Sequence, residues 1–322
     1  MQNPSVTNPT ATIDLNFSHY LEVRDRQLNR HIIRGVPDYS FSLDQKLREQ
    51  LIAMGPARAI AKALVSWAVP IMQQLHTLES IAVGPQQYPT IYALGEDCAQ
   101  RLGIGVPQIF IQHSSDADAY TFAMDDVAPI IVLSSEIVES FTLEELKFVI
   151  GHECGHIHNL HGVYNTVSEI MTNKLAEEIL QAVPTHGLLE MFIQGGLTIF
   201  FKRWSRYAEI TCDRAGLICC GDVKAAESAF IKLVTGGGTA LQNINIEAYR
   251  QQMSKNLSAP IRLIELLKTH PLIPKRIDAL HLFANCDIFH SWRPEAKTPD
   301  ARSKQETDNL CEQVMRVMPK GY

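Results

Sequence analysis

The chain has 322 residues, 46% hydrophobic and 20% charged, the make-up of a globular protein with a sizeable core. A net charge of −6 leaves no basic footprint, so no nucleic-acid partner is expected. Seven irregularly spaced cysteines, two of them adjacent at Cys219 and Cys220, do not read as a disulfide framework and fit a reducing compartment. The start, Met1-Gln2-Asn3-Pro4-Ser5, shows no secretory signal, and a soluble, cytoplasmic protein is expected.

In chain order, residues 1–15 are polar and read as loose. Residues 16–80 read as mainly helical. There Ser42-Leu43-Asp44-Gln45 matches a capping box, and an apolar helix over 54–73 is expected to break at Pro70. A helix over 90–102 should end before Gly103, and Gln108-Ile109-Phe110-Ile111-Gln112 alternates as a strand. Two further strands follow at 117–123 and 129–134. The next helix, 142–160, opens on Thr142 with Glu145 three residues on, a second capping box. Apolar residues then recur at Leu143, Leu146, Val149, Ile150, Ile157 and Leu160. Residues 163–215 read as helical with a break near 184–187. A helix over 223–234 closes at Gly236-Gly237-Gly238, and others follow at 245–256 and 259–268. The tail from Ser291 is polar, with a last helix near 307–318. The stretches 188–201 and 60–72 are apolar but shorter than the ~20 residues of a spanning helix, so no transmembrane segment is expected. The fold class is α+β, helix-dominated, with a small sheet packed on the helix at 142–160. Three regions result: a helical extension over 1–80, a main domain over 81–290 and a polar tail with a short helix over 291–322.

The chemistry concentrates at His152-Glu153-Cys154-Gly155-His156. Histidines four apart project from one helix face and can hold one Zn²⁺, while the carboxylate between them can reach a water on that ion. The plainer reading, two solvated histidines on a surface helix, fits poorly with the apolar flanks Val149, Ile150 and Ile157. A zinc site of this kind needs a third protein ligand. The pattern that places a third histidine on the same stretch fails here, since its glycine position holds Asn159 and its histidine position holds Gly162. His161 is one residue out of register, and His158 points away from the ligand face. Glu209 in Arg206-Tyr207-Ala208-Glu209-Ile210-Thr211-Cys212-Asp213-Arg214 is the best candidate. Asp213, four residues later on the same face, could accept the free N–H of a ligating histidine. An exposed helix held by i,i+3 and i,i+4 ion pairs is the alternative for this segment. Glu177, Glu178 and Glu190 compete for the ligand role, but none has an acid four positions on. Cys154 and Cys212 lie near the site, either as redox or inhibitory thiols or as small apolar filler.

These elements, followed by Thr269-His270-Pro271-Leu272-Ile273-Pro274-Lys275-Arg276-Ile277 and preceded by Ala117-Asp118-Ala119-Tyr120-Thr121-Phe122 and the apolar 129–138, resemble the HtpX-type metallopeptidases, which include the CAAX prenyl endopeptidases. The likeness covers roughly residues 85–285. It implies a gluzincin-like domain with one Zn²⁺ per chain on His152, His156 and Glu209, Glu153 as general base, and Asp213 supporting a ligand histidine. It implies further that the strand at Ala119 and Tyr120 offers its edge to a peptide or unfolded protein substrate. His270 is expected near the metal, as a transition-state donor or as a fourth ligand in a resting state, and Arg276 in an internal salt bridge. The best-known members carry membrane spans, which this sequence lacks. The activity implied is a zinc endopeptidase. An aminopeptidase, with Asp116, Asp118, Asp125 or Asp126 holding the substrate amine, and a non-proteolytic chaperone-like or scaffold zinc protein are the alternatives. The sequence leaves the oligomeric state and the natural substrate open.

Overall fold

A computed structural model describes residues 31–33, 35–124, 127–164, 167, 197–236, 244–254, 264–296 and 298–317. The fold is α+β, mainly helical with a small mixed sheet. A short hairpin, β1 (Ile32–Ile33) and β2 (Val36–Pro37), leads into α1 (Ser42–Ala53) and α2 (Gly55–Glu79). Then come β3 (Ile81–Ala82), α3 (Pro89–Leu102), β4 (Gln108–Gln112), β5 (Ala119–Met124), β6 (Val127–Ser134), α4 (Ser135–Ser140) and α5 (Leu143–His158). The second half is helical: α6 (Leu197–Cys220), α7 (Val223–Thr235), α8 (Ile246–Ser254), α9 (Ile273–Ala284), α10 (Asp287–Trp292) and α11 (Lys304–Met315).

Three expectations are corrected. Pro70 does not end its helix; α2 continues through it to Glu79. The predicted capping box at Ser42 does not form. Phe41 is the N-cap of α1 without a side-chain bond, and Asp44 is buried in an interior network instead. Leu143 and Leu160 are exposed rather than core residues: Leu143 is the first residue of α5, and Leu160 lies beyond its end at His158 with a positive φ. The helix α9 and the hairpin were not expected. The break near 184–187, the loose 1–15 stretch and the competing ligands Glu177, Glu178 and Glu190 lie outside the described residues, as do Asp125 and Asp126. Among the described residues no helix is long and apolar enough to cross a membrane.

The sheet runs β3-β4-β6-β5, with β4 and β6 parallel and the other pairs antiparallel. Strand periodicity splits its side chains cleanly. Ile109, Ile111, Ile131 and Leu133 join the main core around α5, and Phe110, Ile130, Val132 and Tyr120 pack on the opposite face. β5 is an outer strand, its residue Thr121 paired with Ile131.

Helix α5 is buried along most of its length, and its start is fixed by the predicted capping box between Thr142 and Glu145. It packs on α6 through glycines. A methyl group on Gly155 would lie 2.8 Å from Ala215 Cβ and 3.0 Å from Cys212 Cα. One on Gly151 would lie 2.5 Å from Cys219 Cβ, and one on Gly216 would lie 2.7 Å from the Phe148 carbonyl oxygen. The bare backbones therefore allow an approach that larger residues would block, and this brings Glu209 on α6 opposite the two histidines of α5.

Candidate metal centre

His152 and His156 lie one helical turn apart on α5, both buried, and their rings meet edge to face with centroids 5.2 Å apart. Across the helix pair, Glu209 Oε2 is 3.6 Å from His152 Nε2, and Glu209 Oε1 is 3.4 Å from His156 Nε2. Ligand bonds of ~2.0–2.1 Å at tetrahedral angles would separate donor atoms by about 3.3 Å. The two separations lie close to that value, one on each carboxylate oxygen, so Glu209 is within reach of an ion held by both histidines. The protonation of His156 and Glu209 suits such an ion as well. Burial lowers His152, but Glu209 and Asp213 outweigh it and raise that ring above its ordinary value, so a metal bound there displaces a proton. Burial holds His156 down at about 4, so its ring is neutral at pH 7. Burial pushes the Glu209 carboxyl up, but His270, Arg276 and His152 beside it outweigh that and keep Glu209 well below the usual carboxylate range.

The Nδ1 atoms point away from Glu209 and are engaged. Asp213 Oδ1 accepts from His152 Nδ1 at 3.0 Å. His156 Nδ1 lies 3.3 Å from His161 Nδ1. Cys212 groups with the two histidines as a third donor within 4.8 Å. Its Sγ, however, lies 3.7 Å from His161 Nδ1, which in turn lies 3.3 Å from His156 Nδ1. Since the Nδ1 atoms already have partners, the Nε2 side with Glu209 is the better metal set. Burial raises the Cys212 thiol well above its ordinary pKa, and it raises that of Cys154, a fully buried member of the main core, in the same way.

Arg276, from α9, spans the carboxylates: Nη1 is 3.1 Å from Glu209 Oε2 and Nη2 is 2.6 Å from Asp213 Oδ1. This is the internal ion pair expected of Arg276. Arg206, Glu209, Asp213 and Arg214 are all buried, so α6 is not the exposed, ion-paired helix that its charges allow.

Glu153 faces the same cleft from the turn between the histidines. Burial raises its carboxyl to about 7. Its Oε2 accepts a hydrogen bond of 2.5 Å from Thr121 Oγ1 on β5. Thr121 was not singled out in the sequence. The strand alternation that turns it toward α5 was its only signal. The cleft, about 260 Å³, is lined also by Asp118, Ala119, Tyr120 and His270. Tyr120 donates to Gln112 Oε1 at 2.7 Å. His270 is half exposed, with Nε2 3.6 Å from Glu209 Oε1 and Nδ1 3.0 Å from the Thr269 hydroxyl. The structure thus brings together all eight residues singled out for the site: His152, Glu153, His156, Glu209, Asp213, His270, Ala119 and Tyr120.

A His-Glu-x-x-His helix facing a carboxylate on a second helix, with an acid supporting one histidine, defines a metallopeptidase type of centre. The chain belongs to Peptidase family M48, whose model matches residues 85–283. It is 30% identical over 219 residues to the plastoglobule-localized metallopeptidase 48, chloroplastic, of Arabidopsis thaliana, a match over 67% of this chain and 60% of that protein. Protease HtpX of Haemophilus ducreyi is 26% identical over 208 residues, covering 56% of this chain and 68% of its own length. The Protease HtpX homolog of Bifidobacterium longum is 22% identical over 231 residues, 63% of this chain and 73% of its own length. No solved structure matches the chain.

Proposed function

We infer that the chain is a zinc-dependent endopeptidase. The observation that carries this is the approach of the ionised Glu209 to both histidines, 3.6 Å from His152 Nε2 and 3.4 Å from His156 Nε2, with Glu153 buried beside them. Bound there, Zn²⁺ supplies Lewis acidity, lowering the pKa of water from ~15.7 toward 7 and polarising a carbonyl. Glu153, with a carboxyl near 7, takes the proton of the attacking water and returns it to the leaving amine. Thr121 holds the Glu153 carboxylate in place while this happens. His270 leans over the cleft and donates to the oxygen on which negative charge develops. The substrate is an extended peptide segment that lies along the outer strand β5 at Ala119 and Tyr120, where that strand lines the cleft. Seven unpaired, buried cysteines fit a reducing, cytoplasmic setting.

The reading is tested with unfolded casein as substrate. Cleavage that is abolished by EDTA and restored by zinc is expected. A chain that binds zinc yet cleaves nothing would favour the scaffold reading. Asp118 at the cleft keeps an aminopeptidase in view. Equal cleavage of N-acetylated and free peptides is the result expected of the endopeptidase.

A further inference from the structure

A histidine that ligates a metal through Nε2 must carry its proton on Nδ1, and that proton needs an acceptor. His152 has Asp213 for this purpose. Among the described residues no carboxylate meets the Nδ1 of His156. Its neighbour is a second imidazole, His161, at 3.3 Å between the two Nδ1 atoms. Such a contact holds only if one ring donates and the other accepts. The far side of His161 decides which. His161 is fully buried, and its Nε2 lies 3.0 Å from Asp44 Oδ2. Asp44 is itself buried and gathers two other donors, Trp204 Nε1 at 2.9 Å on Oδ1 and Thr211 Oγ1 at 2.7 Å on Oδ2. A carboxylate ringed by donors is an acceptor, so the His161 proton sits on Nε2. His161 Nδ1 then offers a lone pair, and Cys212 Sγ also approaches that atom at 3.7 Å.

We propose that Asp44 and His161 form a positioning relay that holds His156 in its Nδ1–H tautomer and so turns the Nε2 lone pair toward Glu209. The relay rests on the zinc reading above. It gives α1 a role in the centre, because Asp44 lies on that helix. Neither residue lines the cleft.

The test is zinc affinity of the full chain by chelator competition. Asp44→Leu and His161→Leu keep bulk but remove the acceptors, and each should weaken zinc binding about 10- to 100-fold. Asp44→Asn and His161→Gln keep an acceptor oxygen and should recover most of that loss. A purely structural role would give no such advantage to the amides. Zinc binding that Glu209→Ala abolishes but Asp44→Leu and His161→Leu leave unchanged overturns the relay alone. A wild-type chain that binds no zinc overturns the zinc reading and the relay together. Should the leucine variants not fold, ¹⁵N-histidine NMR of the unaltered zinc-loaded chain decides. His161 is expected as the neutral Nε2–H tautomer, and a proton on its Nδ1 overturns the proposal.

Discussion

At the scale of single residues, the site depends on which atom each side chain turns inward. Glu153 is the group whose loss should separate binding from chemistry. Glu153→Gln is expected to retain full zinc occupancy and to lower kcat by at least ~10²-fold, measured by elemental analysis beside casein turnover. Near-wild-type turnover would remove Glu153 from the role of base. Thr121→Val removes the 2.5 Å hydrogen bond to that carboxylate and nothing from the metal set. A hydrogen bond to a charged group contributes about 1.5–3 kcal/mol, so kcat should fall roughly 10- to 100-fold with zinc retained. An unchanged kcat would show that Glu153 needs no such support. The histidines and Glu153 were legible because helical spacing alone puts them on one face. Glu209 and Asp213 were legible because the first three groups left a ligand missing and the two acids share that spacing. Thr121 and Asp44 were not, since strand register and helix packing bring them in from 32 and 117 residues away, respectively, and no local pattern encodes that.

At the scale of elements, the α5–α6 contact sets the distance from Glu209 to the histidines. Gly155→Ala places a methyl 2.8 Å from Ala215 Cβ, so the helices must part. Overpacking of this kind costs about 1–3 kcal/mol. The expected outcome is a lower unfolding midpoint in urea together with weaker zinc binding; unchanged zinc affinity would mean the helix spacing does not set the site. The glycines at 151 and 155 were visible in the sequence, but what they face was not. The capping box at Thr142 formed even though Glu145 also meets Lys232 and Ser228, because its Oε2 still accepts from the Thr142 N–H. The match at Ser42 failed because Asp44 within it is drawn inside by His161, Trp204 and Thr211. Pro70 misled for a related reason: packing of α2 on its neighbours outweighs the single hydrogen bond that a proline removes.

At the scale of the whole molecule, the two ends of the described chain are tied through a buried ion pair on α6. Arg214 Nη2 lies 2.8 Å from Asp308 Oδ1, and Asp308 Oδ2 accepts from the Ser42 backbone N–H. Burial pushes Asp308 up, but Arg214 and Lys304 outweigh it, and its carboxyl is lowered in the folded state. A depressed carboxyl gives stability that is present above the unfolded value of ~3.9 and is lost as pH falls through the folded value. Asp308→Asn should therefore destabilise the chain at pH 7, by about 3 kcal/mol for a broken buried pair. The gap to wild type should narrow as the pH is lowered below about 4, measured by urea unfolding at each pH. A gap independent of pH would mean the charge of Asp308 contributes nothing.

The central claim is that two imidazoles of α5 and one carboxylate of α6 hold a single zinc ion. Anomalous scattering at the zinc edge, from a crystal grown with the metal, tests it most directly. One peak per chain, bonded to His152 Nε2, His156 Nε2 and Glu209, is the predicted result. A peak elsewhere, or a zinc ion held without Glu209, would contradict it.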